Sequence, residues 1–177
     1  MLISDQYREA NAQMHRVYSN YGSAGREVAP FVARLMNQHK IEELLDYGAG
    51  KLSLGKALAE NREVQHRFKY IPYEPADPRY ADEPLPSEFV VCNDVLEHVE
   101  PDCLEAVLDD LRRVTTWLAF IAVHCGPAGK VLPDGRNAHL IQQPPEWWLP
   151  KLLARFDVQM VQRTPMGFMG VFTAKEL

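Results

Sequence analysis

One stretch constrains the fold of this chain more than any other, the segment ELLDYGAGK at residues 43–51. An apolar run ends in Asp46, Gly48 and Gly50 follow with one residue between them, and a helical pattern continues over 52–60. This order predicts a buried strand, a tight glycine turn and a helix. Glycine allows positive φ and close approach of a ligand, and a helix N-terminus offers unpaired N–H groups. The segment therefore predicts a nucleotide-type site at the carboxyl end of a parallel sheet.

Three glycine motifs compete for this stretch. The dinucleotide fingerprint G-x-G-x-x-G requires glycine at position 53, where the chain has Ser53. The P-loop pattern G-x-x-x-x-G-K-[ST] fits from Gly50 to Lys56, but Ala57 lacks the hydroxyl that would bind Mg²⁺. The pattern D-x-G-x-G fits with Asp46 at the end of the strand.

Length and composition favour one globular domain over 1–177, with a helical cap at 1–40 and the sheet-containing core at 41–177. A net charge of −5 argues against a nucleic-acid partner. Three cysteines without metal-ligand spacing indicate reduced thiols, and we predict no metal site. We see neither a signal peptide nor an apolar run of membrane-spanning length, so we expect a cytoplasmic protein.

The remaining hydrophobic pattern alternates between helices and short apolar strands, which is typical of an α/β fold. Helices are predicted at 4–18, 24–39, 52–61, 101–115 and 146–156, and strands at 43–47, 68–74, 89–92, 117–123, 157–162 and 168–173. Only fourteen residues, four of them proline, separate Glu74 from Phe89. This connection is too short and too rich in proline for a helix and a further strand.

Polar residues follow the second and third predicted strands. Glu74, before Pro75, ends one strand, where a carboxylate can accept both hydroxyls of a ribose; Asp77 is the fallback. Asn93 and Asp94 end the next strand and should face the same crevice. Because a Walker B strand also ends in an aspartate, Asp94 keeps the P-loop alternative open. Glu97 and His98 fit a buried structural pair as well as a catalytic one.

Together, DYGAG at 46–50 and FVVCNDVLEHV at 89–99 resemble the first and fourth motifs of class I S-adenosylmethionine-dependent methyltransferases. The resemblance covers about 130 residues. It implies a three-layer α/β/α sandwich, with a doubly wound, mostly parallel sheet and a C-terminal antiparallel hairpin. The family order 3-2-1-4-5-7-6 without its third strand leaves six strands. The implied cofactor residues are Asp46, Gly48, Ala49, Gly50, Glu74, Pro75, Asp82 at the adenine, Asn93, Asp94 and Val95.

The resemblance implies methyl transfer from S-adenosylmethionine to a small acceptor, by O- or N-methylation of a compound such as a sugar or a nucleotide-linked metabolite. His124 ends the fifth strand of the family order and His139 lies in a long polar loop at 128–145, so both are candidate bases. Candidate acceptor contacts are Tyr21, Arg136, Asn137 and Trp147. Tyr18 and Gly22 are further candidates for a lid.

Two functions of other classes stay open. One is a non-catalytic S-adenosylmethionine-binding protein that acts through a partner. Two features favour it, the shortened region after Glu74 and Leu52 at a position where the resembling family often has a third glycine. The other is a P-loop NTPase or phosphotransferase. The sequence leaves the oligomeric state open between a monomer and a homodimer.

Overall fold

The structure is a computed structural model that describes residues 1–64 and 66–176. It contains an α/β core preceded by two helices. The helices are α1 (Asp5–Val17), α2 (Gly25–His39), α3 (Ser53–Glu60), α4 (Leu104–Val114) and α5 (Pro145–Leu153). The strands are β1 (Glu43–Tyr47), β2 (Lys69–Tyr73), β3 (Ser87–Asn93), β4 (Thr115–His124), β5 (Phe156–Thr164) and β6 (Gly167–Ala174).

The six strands form one mixed sheet in the order β2-β1-β3-β4-β6-β5. The first four are parallel, with Leu45 beside Ile71 on one side and Val90 on the other. The hairpin of β5 and β6 then closes the sheet in antiparallel fashion against β4. The predicted six-stranded, mostly parallel sheet with a terminal hairpin is confirmed.

The connection from β2 to β3 contains neither helix nor strand, as its prolines predict. Instead, it forms tight turns, in which Asp77 N donates to Glu74 O (3.1 Å) and Tyr80 N to Asp77 O (2.9 Å). Glu74 N in turn donates to Tyr80 O (3.0 Å). Within the described residues no strand follows β2 on its outer side, so β2 is an edge strand of the sheet.

Side chains of the parallel strands alternate between two buried layers, as the pleat of a sheet requires. Leu45 and Val90 pack with α4 and α5 on one face, whereas Leu44 and Val91 pack with α2 and α3 on the other. Because both faces are covered by helices, these strands consist of continuous apolar runs. This arrangement is the predicted three-layer sandwich.

Helix α1 packs over the carboxyl ends of the strands rather than on a face of the sheet. Its Tyr7 and Met14 share a third apolar cluster with Tyr21 and with Leu132 and Ala138 of the long loop after β4. The N-cap Ser4 also anchors it, since its N and Oγ donate to the Glu100 carboxylate (2.8 and 2.7 Å). The predicted N-terminal cap and the predicted loop at 128–145 are therefore packed against each other.

Several boundaries differ from the sequence prediction; for example, α4 begins at Leu104 instead of 101, after a 3-10 turn at Pro101–Cys103. Helix α5 ends at Leu153 instead of 156, because the buried Phe156 already begins β5. Strand β3 begins at Ser87, two residues before the apolar run, because backbone pairing with Thr115 of β4 continues there. In the described part of the chain, none of the helices combines the length and hydrophobicity needed to cross a membrane.

We expect Gly167→Ala to weaken the closing hairpin. A Cβ at Gly167 would lie 2.1 Å from Val123 O and 3.0 Å from Cys125 N, so the pairing of β6 with β4 would have to shift. Such overpacking costs about 1–3 kcal/mol of unfolding free energy, measurable by urea denaturation.

The matched control is Gly129→Ala, because a Cβ at Gly129 meets no atom within 4 Å. Its free energy of unfolding should stay within about 0.5 kcal/mol of the parent. Equal stabilities for the two variants would contradict the packing described for the hairpin.

Candidate functional site

The glycine turn after β1 is held to the neighbouring strand by two backbone hydrogen bonds. Gly48 N and Ala49 N both donate to Tyr73 O, the last carbonyl of β2 (2.8 and 2.9 Å). Gly48 and Gly50 adopt φ values of 82° and 49°, in the left-handed region that favours glycine. The turn therefore bends sharply at the carboxyl end of the sheet before α3 begins.

Close packing also requires glycine at both positions. A Cβ on Gly48 would lie 2.5 Å from Val95 Cγ2, and one on Gly50 would lie 2.5 Å from Gly22 O. Lys51 N donates to the same Gly22 oxygen (2.8 Å). The turn is thus wedged between the segment after β3 and the segment that joins α1 to α2.

Glu74 fixes the turn from the end of β2. Its side chain is buried, with Oε2 accepting from Gly50 N (2.9 Å) and Oε1 from Ala76 N (3.0 Å). Burial raises the pKa of Glu74, and the two N–H donors partly offset that effect. The carboxylate therefore stays in one orientation beside the glycine turn.

Asp46, at the end of β1, lies behind the turn rather than in the crevice. It is 6% exposed and accepts a hydrogen bond of 2.5 Å from the Tyr70 hydroxyl. Burial raises the pKa of Asp46 to about 7, and the Tyr70 hydrogen bond opposes the shift.

A cavity of about 580 Å³ opens above the carboxyl ends of β1 and β3. Strand β2 lies on one side of β1 and β3 on the other, so the cavity sits where the direction of strand winding reverses. Ligands of open α/β sheets bind at this switch point. The long loop supplies one wall, and α1 with the following turn supplies another through Tyr7, Asn11, His15, Tyr21 and Gly22.

Asp94, His98 and His139 converge on one side of this cavity. Asp94 follows β3 with a left-handed φ of 59°, and the short 3-10 helix Leu96–His98 comes directly after it. His139, from the long loop, is buried, and its ring lies 4.6 Å from that of His98. Ligand-type atoms of the three side chains all lie within 4.8 Å of one another.

Backbone carbonyls hold both histidine rings. His98 Nδ1 donates to Ala138 O (2.8 Å), and His139 Nδ1 donates to Gly126 O (2.7 Å). A carbonyl only accepts, so each Nδ1 carries the proton and each Nε2 keeps its lone pair. Burial lowers the pKa of His139 and lowers that of His98 to about 4, although the charge of Asp94 opposes both shifts. Both rings are therefore neutral at pH 7.

His124 ends β4 on the same side of the cavity, with its ring 4.7 Å from that of His139. Its backbone N donates to Oε1 of the buried Glu97 (2.7 Å), and its Nδ1 lies against the Gly126 peptide. Burial and the Asp94 carboxylate raise the pKa of Glu97 well above its ordinary value. Glu97 thus positions the end of β4 rather than contacting a ligand directly.

Comparison with solved structures gives many similar folds at low sequence identity. One is the 1,6-didemethyltoxoflavin-N1-methyltransferase of Burkholderia thailandensis, solved with 1,6-didemethyltoxoflavin and S-adenosylhomocysteine. It shares 15% identity over 96% of this chain and 87% of its own, with a TM-score of 0.66. The chain has the fold of class I S-adenosylmethionine-dependent methyltransferases.

Two further methyltransferase-fold structures agree. The DhpI complex with S-adenosylhomocysteine has 14% identity and a TM-score of 0.57, over 95% of this chain and 92% of that one. The magnesium protoporphyrin IX methyltransferase of Synechocystis PCC 6803, also with S-adenosylhomocysteine, has 14% identity and a TM-score of 0.51, over 85% and 83%. S-adenosylmethionine is the cofactor of this fold. No protein-family model and no curated protein matches the chain.

The structure brings nine of the predicted site residues to the cavity. They are Tyr21, Gly48, Gly50, Glu74, Pro75, Asp94, Val95, His124 and His139. Tyr21 comes closest to the predicted lid, since its hydroxyl lies 3.5 Å from His98 Nδ1. Gly22, the other lid candidate that lines the cavity, contacts the glycine turn, whereas Tyr18 is exposed.

The other predicted site residues do not line the cavity: Asp46, Ala49, Asp82, Asn93, Arg136, Asn137 and Trp147. Arg136 is exposed and pairs with Asp134 at 2.6 Å. Asn137 closes its own loop, since its amide donates to Ala128 O and accepts from Ala128 N (2.8 and 2.9 Å). Trp147 packs edge-on against Trp148 in α5, and Asp82 is exposed.

Sequence reasoning missed the grouping of Asp94 and His98 with His139. The spacing of Asp94 and His98 within one turn of chain was available as a signal. Their proximity to His139 depends on how the long loop folds back, through Ala138 O and Ile141 N, onto the segment after β3. Asn11 and His15, which also line the cavity, carry no motif that would have singled them out.

We expect Asp46→Asn to change how stability depends on pH. The pKa of Asp46 is about 7 in the folded protein and about 3.9 when unfolded. The folded state therefore holds a proton that the unfolded chain releases, and stability falls as pH rises from about 4 to 7. The asparagine keeps an acceptor for Tyr70 without titrating. Urea denaturation at pH 5 and at pH 7 gives the unfolding free energy lost between the two pH values. This loss should be smaller in the variant than in the parent by about 2–3 kcal/mol.

The parent protein is the reference for this comparison, since Glu74 and Glu97 titrate in both proteins. Parallel pH profiles for parent and variant would show that Asp46 does not hold a shifted proton.

Proposed function

We propose that this protein transfers a methyl group from S-adenosylmethionine to a small-molecule acceptor. The observation that carries the proposal is the glycine turn held by Glu74 at the switch point of the sheet. There, the backbone itself borders the cavity, because the glycines carry no side chains. The fixed carboxylate of Glu74 lies beside this stretch of backbone. This combination suits the nucleoside part of the cofactor.

Glu74 is the proposed ribose acceptor. Each of its oxygens accepts one backbone N–H, which leaves further lone pairs on a carboxylate that already lines the cavity. Because its orientation is set before a ligand arrives, little conformational entropy is lost when it binds two hydroxyls. Gly48, Gly50, Pro75 and Val95 complete the proposed walls around the nucleoside.

The charge of the cavity favours a cationic cofactor over a polyphosphate. Glu74, Asp94 and Glu100 line it, and S-adenosylmethionine carries a positive sulfonium. The P-loop alternative needs free N–H groups and a lysine directed at the phosphates. Here, Gly50 N is bound to Glu74, Lys51 Nζ donates to His15 O (2.7 Å) and Lys56 Nζ donates to Lys51 O (3.1 Å).

The proposed step is an in-line displacement at the sulfonium methyl. The acceptor atom forms a bond to the methyl carbon, the bond from carbon to sulfur breaks, and its electron pair stays on S-adenosylhomocysteine. Holding the two reactants in line lowers much of the barrier. An acceptor hydroxyl or ammonium must also lose a proton. His124 and His139 are the proposed bases, and the free Nε2 of His139 suits this role.

A small acceptor follows from how the cavity is enclosed. Helix α1 and the loop carrying Lys130, Ala138 and His139 form two of its walls. The chain also carries a net charge of −5, which disfavours a nucleic-acid acceptor. We propose a cytoplasmic enzyme, active as a monomer or a homodimer, on a small metabolite. A sugar or a nucleotide-linked compound is a candidate acceptor.

Calorimetric titration with S-adenosylmethionine, S-adenosylhomocysteine and Mg-ATP, each alone, tests the cofactor. We expect micromolar binding of the first two. Gly48→Arg should abolish it, because the new side chain would enter the contact with Val95. Glu74→Ala should weaken it about tenfold or more, as expected for loss of hydrogen bonds to a carboxylate, about 1.5–3 kcal/mol.

Glu60→Ala is the matched control, because Glu60 is an exposed acid at the end of α3. It should bind like the parent. If Mg-ATP bound and neither S-adenosyl compound did, the methyltransferase proposal would be contradicted and the P-loop function would be favoured. Cofactor binding without methyl transfer to any acceptor tested, in parent and histidine variants alike, would favour a non-catalytic binding protein.

A further inference from the structure

We propose that Asp94, His98 and His139 form a binding site for a divalent transition-metal ion inside the cavity. The site was not expected from the sequence, which predicts no metal centre. It joins two separate parts of the chain, the segment after β3 and the long loop after β4.

The spacing of the three side chains suits a single ion. With bonds of about 2.0–2.2 Å from nitrogen and oxygen to a metal, neighbouring ligand atoms lie about 3–3.6 Å apart, and only ligands on opposite sides of the ion reach about 4.4 Å. The ligand-type atoms here already lie within 4.8 Å without an ion. Ligands as far apart as 4.8 Å must therefore approach by about 1 Å or more when they take neighbouring positions around an ion.

Both imidazoles are prepared as ligands. The carbonyls of Ala138 and Gly126 accept from Nδ1 of His98 and His139, so that each Nε2 lone pair is available. Metal-binding histidines are oriented in this way by a backbone carbonyl or carboxylate on their other nitrogen.

Negative charge on the same side supports a cation. Asp94 adopts a left-handed backbone conformation, which is uncommon outside glycine and concentrates at functional positions. Glu97 is fully buried beside it in the chain, and within the described residues its Oε2 has no hydrogen-bond partner. A cation would balance the charge of the Asp94 carboxylate.

The ligand set selects the class of ion. Two imidazoles and one carboxylate suit Mn²⁺, Fe²⁺, Co²⁺, Ni²⁺ or Zn²⁺, whereas Mg²⁺ and Ca²⁺ prefer oxygen ligands. Three protein ligands leave open coordination positions. Because all three residues line the cavity, those positions are accessible to a ligand held there.

Resting on the proposed function, this site narrows the acceptor to a compound that offers a hydroxyl to the ion. Coordination lowers the pKa of a bound hydroxyl. The hydroxyl proton passes to His124 or to water, and the oxygen forms a bond to the methyl carbon. The bond from the methyl carbon to sulfur breaks, and its electron pair stays on sulfur. His139 would then act as a ligand instead of a base.

Titration of the metal-stripped full chain tests the site without cofactor or acceptor. Calorimetry with Co²⁺, Mn²⁺, Zn²⁺ and Mg²⁺, together with the visible spectrum of the Co²⁺ form, reports stoichiometry and coordination. We expect one transition-metal ion per chain and much weaker binding of Mg²⁺. Asp94→Asn and His139→Gln should each reduce affinity at least tenfold, since even changes around a ligand cost about 10–100-fold.

Two histidines serve as matched controls. His15→Gln changes a cavity-lining histidine outside the triplet, and His39→Gln changes one at the end of α2. Both should bind metal like the parent. His98→Gln removes the ring that donates to Ala138 O, so circular dichroism should first establish that this variant is folded.

The proposed metal site would be contradicted if the parent bound no metal ion. It would also be contradicted if the triplet variants bound metal as strongly as the control variants. The proposed function is judged separately, by binding of S-adenosylhomocysteine to the metal-stripped parent. Cofactor binding without metal binding leaves the methyltransferase proposal standing, and metal binding without cofactor binding leaves only the metal site.

Discussion

The hydrogen bond from Gly50 N to Glu74 is the interaction on which the rest of the site depends. It ties the turn after β1 to the end of β2, while Gly48 and Ala49 donate to the last carbonyl of the same strand. Any side chain on Gly50 would strike Gly22 O, so the N-terminal segment can close only over a glycine. One tight turn therefore joins the ends of β1 and β2 and fixes where the segment between α1 and α2 packs.

The cavity depends in turn on two segments that contribute nothing to the sheet. Helix α1 and the loop after β4 pack on each other through Tyr7, Tyr21, Leu132 and Ala138. This apolar contact adds two walls to the crevice and brings His139 against His98. Enclosure lowers the local dielectric, which strengthens every charge interaction inside. Burial under these two segments is thus also what lowers the pKa of His98 and His139.

Much of the fold could be predicted because local pattern and global architecture agree. The apolar strands, the strand–turn–helix at the glycines and the proline-rich connection after Glu74 each predict a local structure, and the sheet contains all three. Element ends were less predictable, as at Phe156, because pairing between strands decides where a helix must stop. The predicted polar contacts of the loop were least predictable: Arg136 and Asn137 have the right chemistry, but both are used within the loop itself.

The sequence by itself indicated the strands, the helices and the glycine turn, since each follows from residues close together in the chain, and the order of the strands followed from the resemblance of DYGAG and FVVCNDVLEHV to known motifs. Only the tertiary structure decided which side chains share the cavity. Asp94 and His98 are neighbours in sequence. His139 joins them because the His98 ring donates a hydrogen bond to Ala138 O, forty residues further along the chain. Contacts of that range depend on how a loop packs, and no periodicity encodes them. The structure therefore revealed a cluster of ligand-type side chains where the sequence indicated separate residues.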